Sequence, residues 1–144
     1  MLRNLLIGLA VMVVCLLLQS VLLIAAVRYY RRHEHLPGKA SFWSGVALVA
    51  GVMLLLVAGN MAQVAVWALL FVMLDEFQQF SDAFYHSAVN FATLGYGDIV
   101  MSARYRLLGP LESINGALMI GVSTAALMSV FQDVLPKLAQ MRRR

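Results

Sequence analysis

The sequence predicts an all-α membrane protein with three spanning helices and one re-entrant half-helix, and three observations predict it. The chain has 144 residues, 62% of them hydrophobic and 12% charged, whereas soluble domains carry about 25% charged residues. Three stretches hold no Asp, Glu, Lys or Arg: 24 residues between Arg3 and Arg28, 35 from Ala40 to Leu74, and 20 from Ser113 to Gln132. Each reaches the roughly 20 residues that a helix needs to cross a hydrocarbon core about 30 Å thick. Between the second and third of these lies AFYHSAVNFA, ten apolar-rich residues that are too short to cross, followed at once by the glycine-bearing TLGYGD.

The first helix is expected over Asn4 to Val27. Its apolar run exceeds the ~7 to 15 residues of a secretory signal core and no small-residue cleavage site follows, so it reads as a retained helix. Cys15 is the only cysteine, which rules out an intrachain disulfide; it reads as a small residue facing lipid or a neighbouring helix. The basic connector RYYRRHEHLPGKA follows, broken at Pro37 and Gly38. A second helix starts at Ser41, an N-cap ahead of Phe42 and Trp43. Its length calls for tilt or for a partly exposed turn near Trp67 to Leu74. Asn60 and Gln63, one turn apart inside it, read as helix-contact residues, because polar side chains at membrane depth face protein rather than lipid.

The polar DEFQQFSD leads into the half-helix, with Ser81 and Asp82 marking its start and Asp82 complementing the positive end of the macrodipole. After the glycine segment, the polar loop DIVMSARYR precedes a third spanning helix over Leu108 to Leu135, closed by Pro136 and a basic tail. Three units result: residues 1–40 with the first helix and its connector, residues 41–136 with the two remaining spans around the half-helix, and the tail 137–144.

The net charge of +4 does not mark a nucleic-acid binder, because the bases lie in two clusters at helix ends. Arg28, Arg31, Arg32 and Lys39 form one; Lys137, Arg142, Arg143 and Arg144 form the other. The positive-inside rule puts both in the cytoplasm. Three crossings then leave the amino terminus and the TLGYGD loop outside and the carboxyl terminus in the cytoplasm. No enzyme is readable: His33 and His35 sit in the connector and His86 in the half-helix, with no nucleophile, base and orienting carboxylate at interpretable spacing. The spans contain no histidines to hold a haem, and no cofactor is expected. Repeats and low-complexity tracts are also lacking.

Unwound backbone at membrane depth is tolerated only where it is buried in protein or lines a watery cavity. Gly95 and Gly97 alternate with Leu94 and Tyr96, and glycine takes the positive φ values that other residues avoid. Such an alternation can turn successive carbonyls to one side, where they replace the hydration shell of a cation. Thr93 adds its hydroxyl and carbonyl oxygens, while Leu94 and Tyr96 point away and pack behind.

Thr93, Leu94, Gly95, Tyr96, Gly97 and Asp98 resemble the signature of the potassium-channel pore family, usually written T-V-G-Y-G. SDAFYHSAVNFATLGYGD looks like that family's pore helix leading into its selectivity filter, with a spanning helix on either side. The resemblance covers about Phe42 to Leu135, roughly two-thirds of the chain. The first helix lies outside the two-helix pore unit and lacks regularly spaced arginines, so voltage sensing is not implied. Leu94 stands for the more frequent Val or Ile, Ala92 for a second Thr and His86 for a common aromatic. These departures bear on stiffness and inactivation of the filter, whereas the retained Tyr96 favours potassium over nonselective pores.

The resemblance implies a potassium-selective channel of a bacterial plasma membrane, built from this chain and three further copies of it, with the lipid bilayer and K⁺ as its other partners. K⁺ would bind at Thr93, Leu94, Gly95 and Tyr96, Gly97 would complete the filter, and Asp98 would be the outer-mouth carboxylate. The half-helices would aim their negative ends at a central cavity. A nonselective cation channel and a non-conducting accessory subunit are the alternatives.

In the third helix, Gly116 and Gly121 are candidate flex points or seats for close helix packing, with Gly121 better placed for a hinge. Val122, Ala125 and Ser129 follow at helical spacing as candidate cavity lining. Asp133, one turn on, is either a ring of charge at the inner mouth or a solvated helix-end carboxylate. Glu112 opens the helix, where it suits the dipole or braces the filter from behind. Arg104 and Arg106 lie near Asp98 in sequence. The nine methionines read as apolar filler. Nothing in these residues names a gating stimulus.

Overall fold

A computed structural model describes the backbone of residues 1–34 and 42–141, and the side chains of all of these except 34, 42 and 137–141. Four α-helices make up the fold: α1 (Leu2–Glu34), α2 (Phe42–Met73), α3 (Phe80–Phe91) and α4 (Leu108–Met141). No strand occurs among the described residues. Leu2–His33, Trp43–Met73 and Leu108–Pro136 are each long and apolar enough to cross a membrane, so the chain is an integral membrane protein. The 12 residues of α3 rise only about 18 Å at ~1.5 Å each and cannot span. This half-helix packs on α2 and α4, and α1 packs on the same two helices.

α1 runs to Glu34, beyond the expected end at Val27. Arg31, Arg32 and His33 occupy its last turn, where positive charge complements the negative end of the macrodipole. His33 Nδ1 also lies 2.8 Å from the Tyr29 carbonyl, which serves one of the terminal acceptors. The segment read as a connector is therefore helical in its first half. Lys39, Pro37, Gly38, His35 and the Ser41 cap lie outside the described residues, as do Arg142, Arg143 and Arg144.

The buried face of α1 repeats every eleven residues: Asn4, Cys15 and Ala26 form one row, and Gly8, Gln19 and Tyr30 the other. A period of ~3.67 residues per turn keeps one stripe against its partners over the whole length of the helix. Half of that stripe is polar and hydrogen-bonded. Asn4 donates to the Arg104 carbonyl at 2.5 Å, Gln19 donates to Ser123 Oγ at 3.0 Å and accepts from Gln63 at 2.8 Å, and the Tyr30 hydroxyl donates to Asp133. Asn60 joins this mid-depth cluster by accepting from Ser123 at 3.4 Å, so Asn60 and Gln63 serve as helix contacts. Small residues seat the packing: side chains at Gly51 and Gly59 of α2 would strike Tyr29 and Leu22 of α1.

α2 ends at Met73 in a six-residue closure. The Glu76 amide donates back to the Phe71 carbonyl and the Asp75 amide to Val72, both at 3.0 Å. Asp75 carries the left-handed φ of 58° that this closure requires. α4 continues through Pro136, which was expected to end it. The proline deprives only the Gln132 carbonyl of its helical donor, and Val134 beside it stays buried against Ala26, Tyr30, Val52 and Leu56.

Candidate functional site

α3 begins at Phe80 after a Gln79 cap that makes no side-chain capping bond. Ser81 and Asp82 thus lie in the first turn, just after the helix start. Asp82 still supplies the acidic group there. The helix buries Ala83, His86, Ser87, Val89 and Phe91, the spacing of one face packed between α2 and α4.

The carboxyl end of α3 closes as α2 does. Leu94 donates to the Val89 carbonyl at 2.9 Å and Thr93 to Asn90 at 2.8 Å, so Thr93 takes the left-handed position normally given to glycine. Its φ is 58°, which for a β-branched residue costs about 1–2 kcal/mol. Gly95 at 61° and Gly97 at 74° continue the pattern, and Leu94 and Tyr96 between them have no positive φ. Alternating handedness of this kind turns successive N–H groups to one side of the chain. Because each trans peptide opposes its C=O to its N–H, the carbonyls gather on the other side.

The seven residues from Ala92 to Asp98 are all exposed in the protomer. Leu94 is 54% and Tyr96 66% exposed, so neither packs behind the segment within its own chain. Side chains built at Gly95 or Gly97 would meet nothing within 4 Å. Asp98 accepts a hydrogen bond from the Tyr85 hydroxyl at 2.7 Å. That bond is the main reason its carboxyl is held below the usual carboxylate range and the Tyr85 phenol above its own. Arg104, expected near this charge, lies over the Tyr105 ring at 5.1 Å instead. Arg106 lines an open cavity of about 280 Å³ together with His86, Asn90 and Ser113.

Behind the segment lies a polar cluster that sequence reasoning largely missed. Glu112 is fully buried and faces α3, where Ser87 Oγ contacts its Oε1 and Asn90 Nδ2 donates to its Oε2 at 3.2 Å. Ser87 Oγ also donates to the Val64 carbonyl of α2 at 2.8 Å. Asn90 Nδ2 lies 2.9 Å from His86 Nε2, and His86 Nδ1 lies 3.0 Å from the Ile99 carbonyl. A carbonyl only accepts, so Nδ1 carries the proton and Nε2 accepts from Asn90. Burial lowers the pKa of His86 from its ordinary value, against the opposing pull of the Ile99 carbonyl, which agrees with this neutral tautomer. A second tie is made by Glu76, whose carboxylate accepts from the amide and the hydroxyl of Ser102 at 2.7 and 2.6 Å.

Gly116 and Gly121 of α4 separate. A methyl at Gly116 would collide with the Phe91 carbonyl at the end of α3, whereas one at Gly121 would meet nothing within 4 Å. Gly116 is therefore a seat for close packing of the half-helix. Ala125 and Ser129 are exposed in the protomer and Val122 is partly covered. Ser129 Oγ donates to the Ala125 carbonyl one turn back, at 3.2 Å, which satisfies the hydroxyl within its own helix. Asp133, accepting from Tyr30, is engaged with α1. Among the described residues no three His, Cys, Asp or Glu side chains gather to hold a metal ion. The chemistry available at Thr93 to Gly97 is that of neutral backbone oxygens, which suits a weakly held, hard monovalent cation.

A family model described as "Ion channel" matches residues 52–133. That range takes in most of α2, all of α3, the glycine segment and most of α4, and it leaves α1 outside. No curated protein and no solved structure matches the chain.

Proposed function

The chain belongs to the ion channel family, and we propose that it forms a potassium-selective channel in which four copies surround one conduction path. The observation that carries this reading is the alternation of φ sign through Thr93, Gly95 and Gly97, on a segment whose residues are all exposed in their own protomer. One such strand presents carbonyls on a single side only. Fourfold cyclic symmetry closes them into rings and gives Leu94 and Tyr96 a neighbouring chain to pack against.

K⁺ sheds water at the mouth, passes the carbonyl rings of Thr93, Leu94, Gly95 and Tyr96 in turn, and is displaced by the next ion. The loop bearing Asp98 faces outward and Arg28, Arg31 and Arg32 face the cytoplasm of a bacterial cell, following the positive-inside rule. The carboxyl end of each α3 directs its dipole toward the cavity below the filter, which favours a cation there. The open face of α4 at Gly121, Ala125 and Ser129 supplies the cavity wall.

The test is ion flux into liposomes containing the purified chain, with K⁺ compared against Na⁺ and repeated for Gly95→Ala. Four copies of Ala held at positive φ cost about 1–2 kcal/mol each, so K⁺ flux is expected to collapse in the variant. Equal K⁺ and Na⁺ flux in the wild type would leave a nonselective pore. Equal flux through wild type and Gly95→Ala would remove the filter assignment.

A further inference from the structure

Ser87 has one hydroxyl proton and two acceptors around its oxygen, the Val64 carbonyl at 2.8 Å and Glu112 Oε1. Val64 has no proton to offer on that atom. If Glu112 were a carboxylate, one of those two acceptors would face Ser87 Oγ without a proton between them. Its hydrogen-bond partners among the described residues are Ser87 and Asn90, so no cation offsets a charge on a fully buried group at membrane depth, where an unpaired charge is costly.

A proton on Glu112 Oε1 removes the conflict. The acid then donates to Ser87 Oγ, Ser87 donates to Val64, and Oε2 accepts one Asn90 hydrogen. The second Asn90 hydrogen goes to His86 Nε2 at 2.9 Å, and His86 Nδ1 donates to Ile99 at 3.0 Å. Every donor and acceptor role along this path is assigned, and none is duplicated. The path also has a particular reach. Asn90 stands three residues before Thr93 and Ile99 two residues after Gly97, so both ends of the glycine segment are tied to one side chain of α4.

We propose that Glu112 is a positioning residue for ion selection: as a neutral carboxylic acid it clamps both ends of the Thr93–Gly97 segment to α4 through Ser87, Asn90, His86 and Ile99. The proposal rests on the reading of Thr93–Gly97 as a filter. The protonated acid is directional, donating on one oxygen and accepting on the other. Gln at this position can reproduce that pattern with its amide, and Ala cannot.

Full-length wild type, Glu112→Gln, Glu112→Ala and Ser87→Ala, reconstituted in liposomes, provide the test. The infrared difference spectrum of wild type against Glu112→Gln at neutral pH is expected to show a protonated carboxyl C=O band, and Ser87→Ala to shift it. The K⁺/Na⁺ flux ratio is expected to stay near wild type in Glu112→Gln and to fall about tenfold in Glu112→Ala, the effect of losing one or two buried hydrogen bonds. Carboxylate bands alone in that spectrum would overturn the proposal. So would a Glu112→Gln ratio as low as that of Glu112→Ala, or a wild-type ratio in an assembled Glu112→Ala that has lost only thermal stability. If Glu112→Ala does not assemble, the band and the Glu112→Gln ratio still decide. A wild type without K⁺ selectivity would bring down the filter reading and this proposal with it, whereas a selective wild type with an equally selective Glu112→Ala would bring down this proposal alone.

Discussion

On α3, Ser87, Val89 and Phe91 are buried, and Ser87 and Asn90 both bond to Glu112. From Ala92 to Asp98 every residue is exposed, and around Gly95 and Gly97 there is open space. The half-helix is covered over its last six residues inside the protomer, while the segment it carries is not. Each takes its shape from a different source. The backbone of Thr93 is set by the helix closure that precedes it, whereas the side chains of Leu94 and Tyr96 stay exposed in the protomer. The glycine segment is therefore held at its helix end and left open along its length.

Gly116 lies on the completed side of this contrast and offers the strongest way to break it. In Gly116→Ala the methyl meets the Phe91 carbonyl, a backbone atom that yields only if the end of α3 moves. Overpacking of this kind costs about 1–3 kcal/mol. A clear drop in the thermal midpoint of the purified protein is expected, with loss of K⁺ flux. A variant of wild-type stability would mean that α3 is held less tightly against α4 than its packing indicates.

Gly121 lies on the open side and gives a smaller effect of a different kind. Ala at this position meets no neighbour and removes a helix-interior glycine worth up to about 1 kcal/mol. Stability is expected to hold or rise slightly, while K⁺ flux falls if this position flexes during opening. Stability and flux both at wild-type levels would remove the hinge role from Gly121. The two variants together separate a packing glycine from a moving one, which their spacing in the sequence leaves open.

How much of this was legible in the sequence follows from the range of each interaction. The three spans, the half-helix and the glycine segment depend on composition and local order, and they appear near where the residues place them. The closures after α2 and α3 resist reading because Asp75 and Thr93, and not glycine, take the left-handed position. The run of α1 through Arg31 and Arg32 reads as a connector by its charge, although arginine is a good helix former. Its eleven-residue stripe of Asn4, Cys15 and Ala26 was present in the sequence as a signal. The tie from Glu112 to Ser87 and Asn90 joins residues 22 to 25 positions apart. The brace reading of Glu112 points at this side of the segment, but its partners are hinted at only by the matching spacing of Ser87 and Asn90 on one face of α3. Glu76 with Ser102, 26 residues apart, leaves no local trace.

Tyr85 and Asp98 form a side-chain pair that reaches from α3 to the exposed segment, and they give the smallest expected effect. The Tyr85 hydroxyl donates to Asp98 and so favours the carboxylate, holding its pKa below the ordinary value. As the pH on the loop side falls, Asp98 therefore keeps its charge to lower pH than a free carboxylate would. Tyr85→Phe removes the donor and lets the pKa return upward. If the four Asp98 charges concentrate K⁺ at the mouth, flux at low K⁺ is lost on acidification, with a midpoint at higher pH in Tyr85→Phe than in wild type. At neutral pH both proteins carry ionised Asp98 and should conduct alike. Because the pair is exposed, raising the ionic strength should shrink the pH effect in both. A midpoint that does not move in Tyr85→Phe would show that the hydroxyl does not set the charge of Asp98.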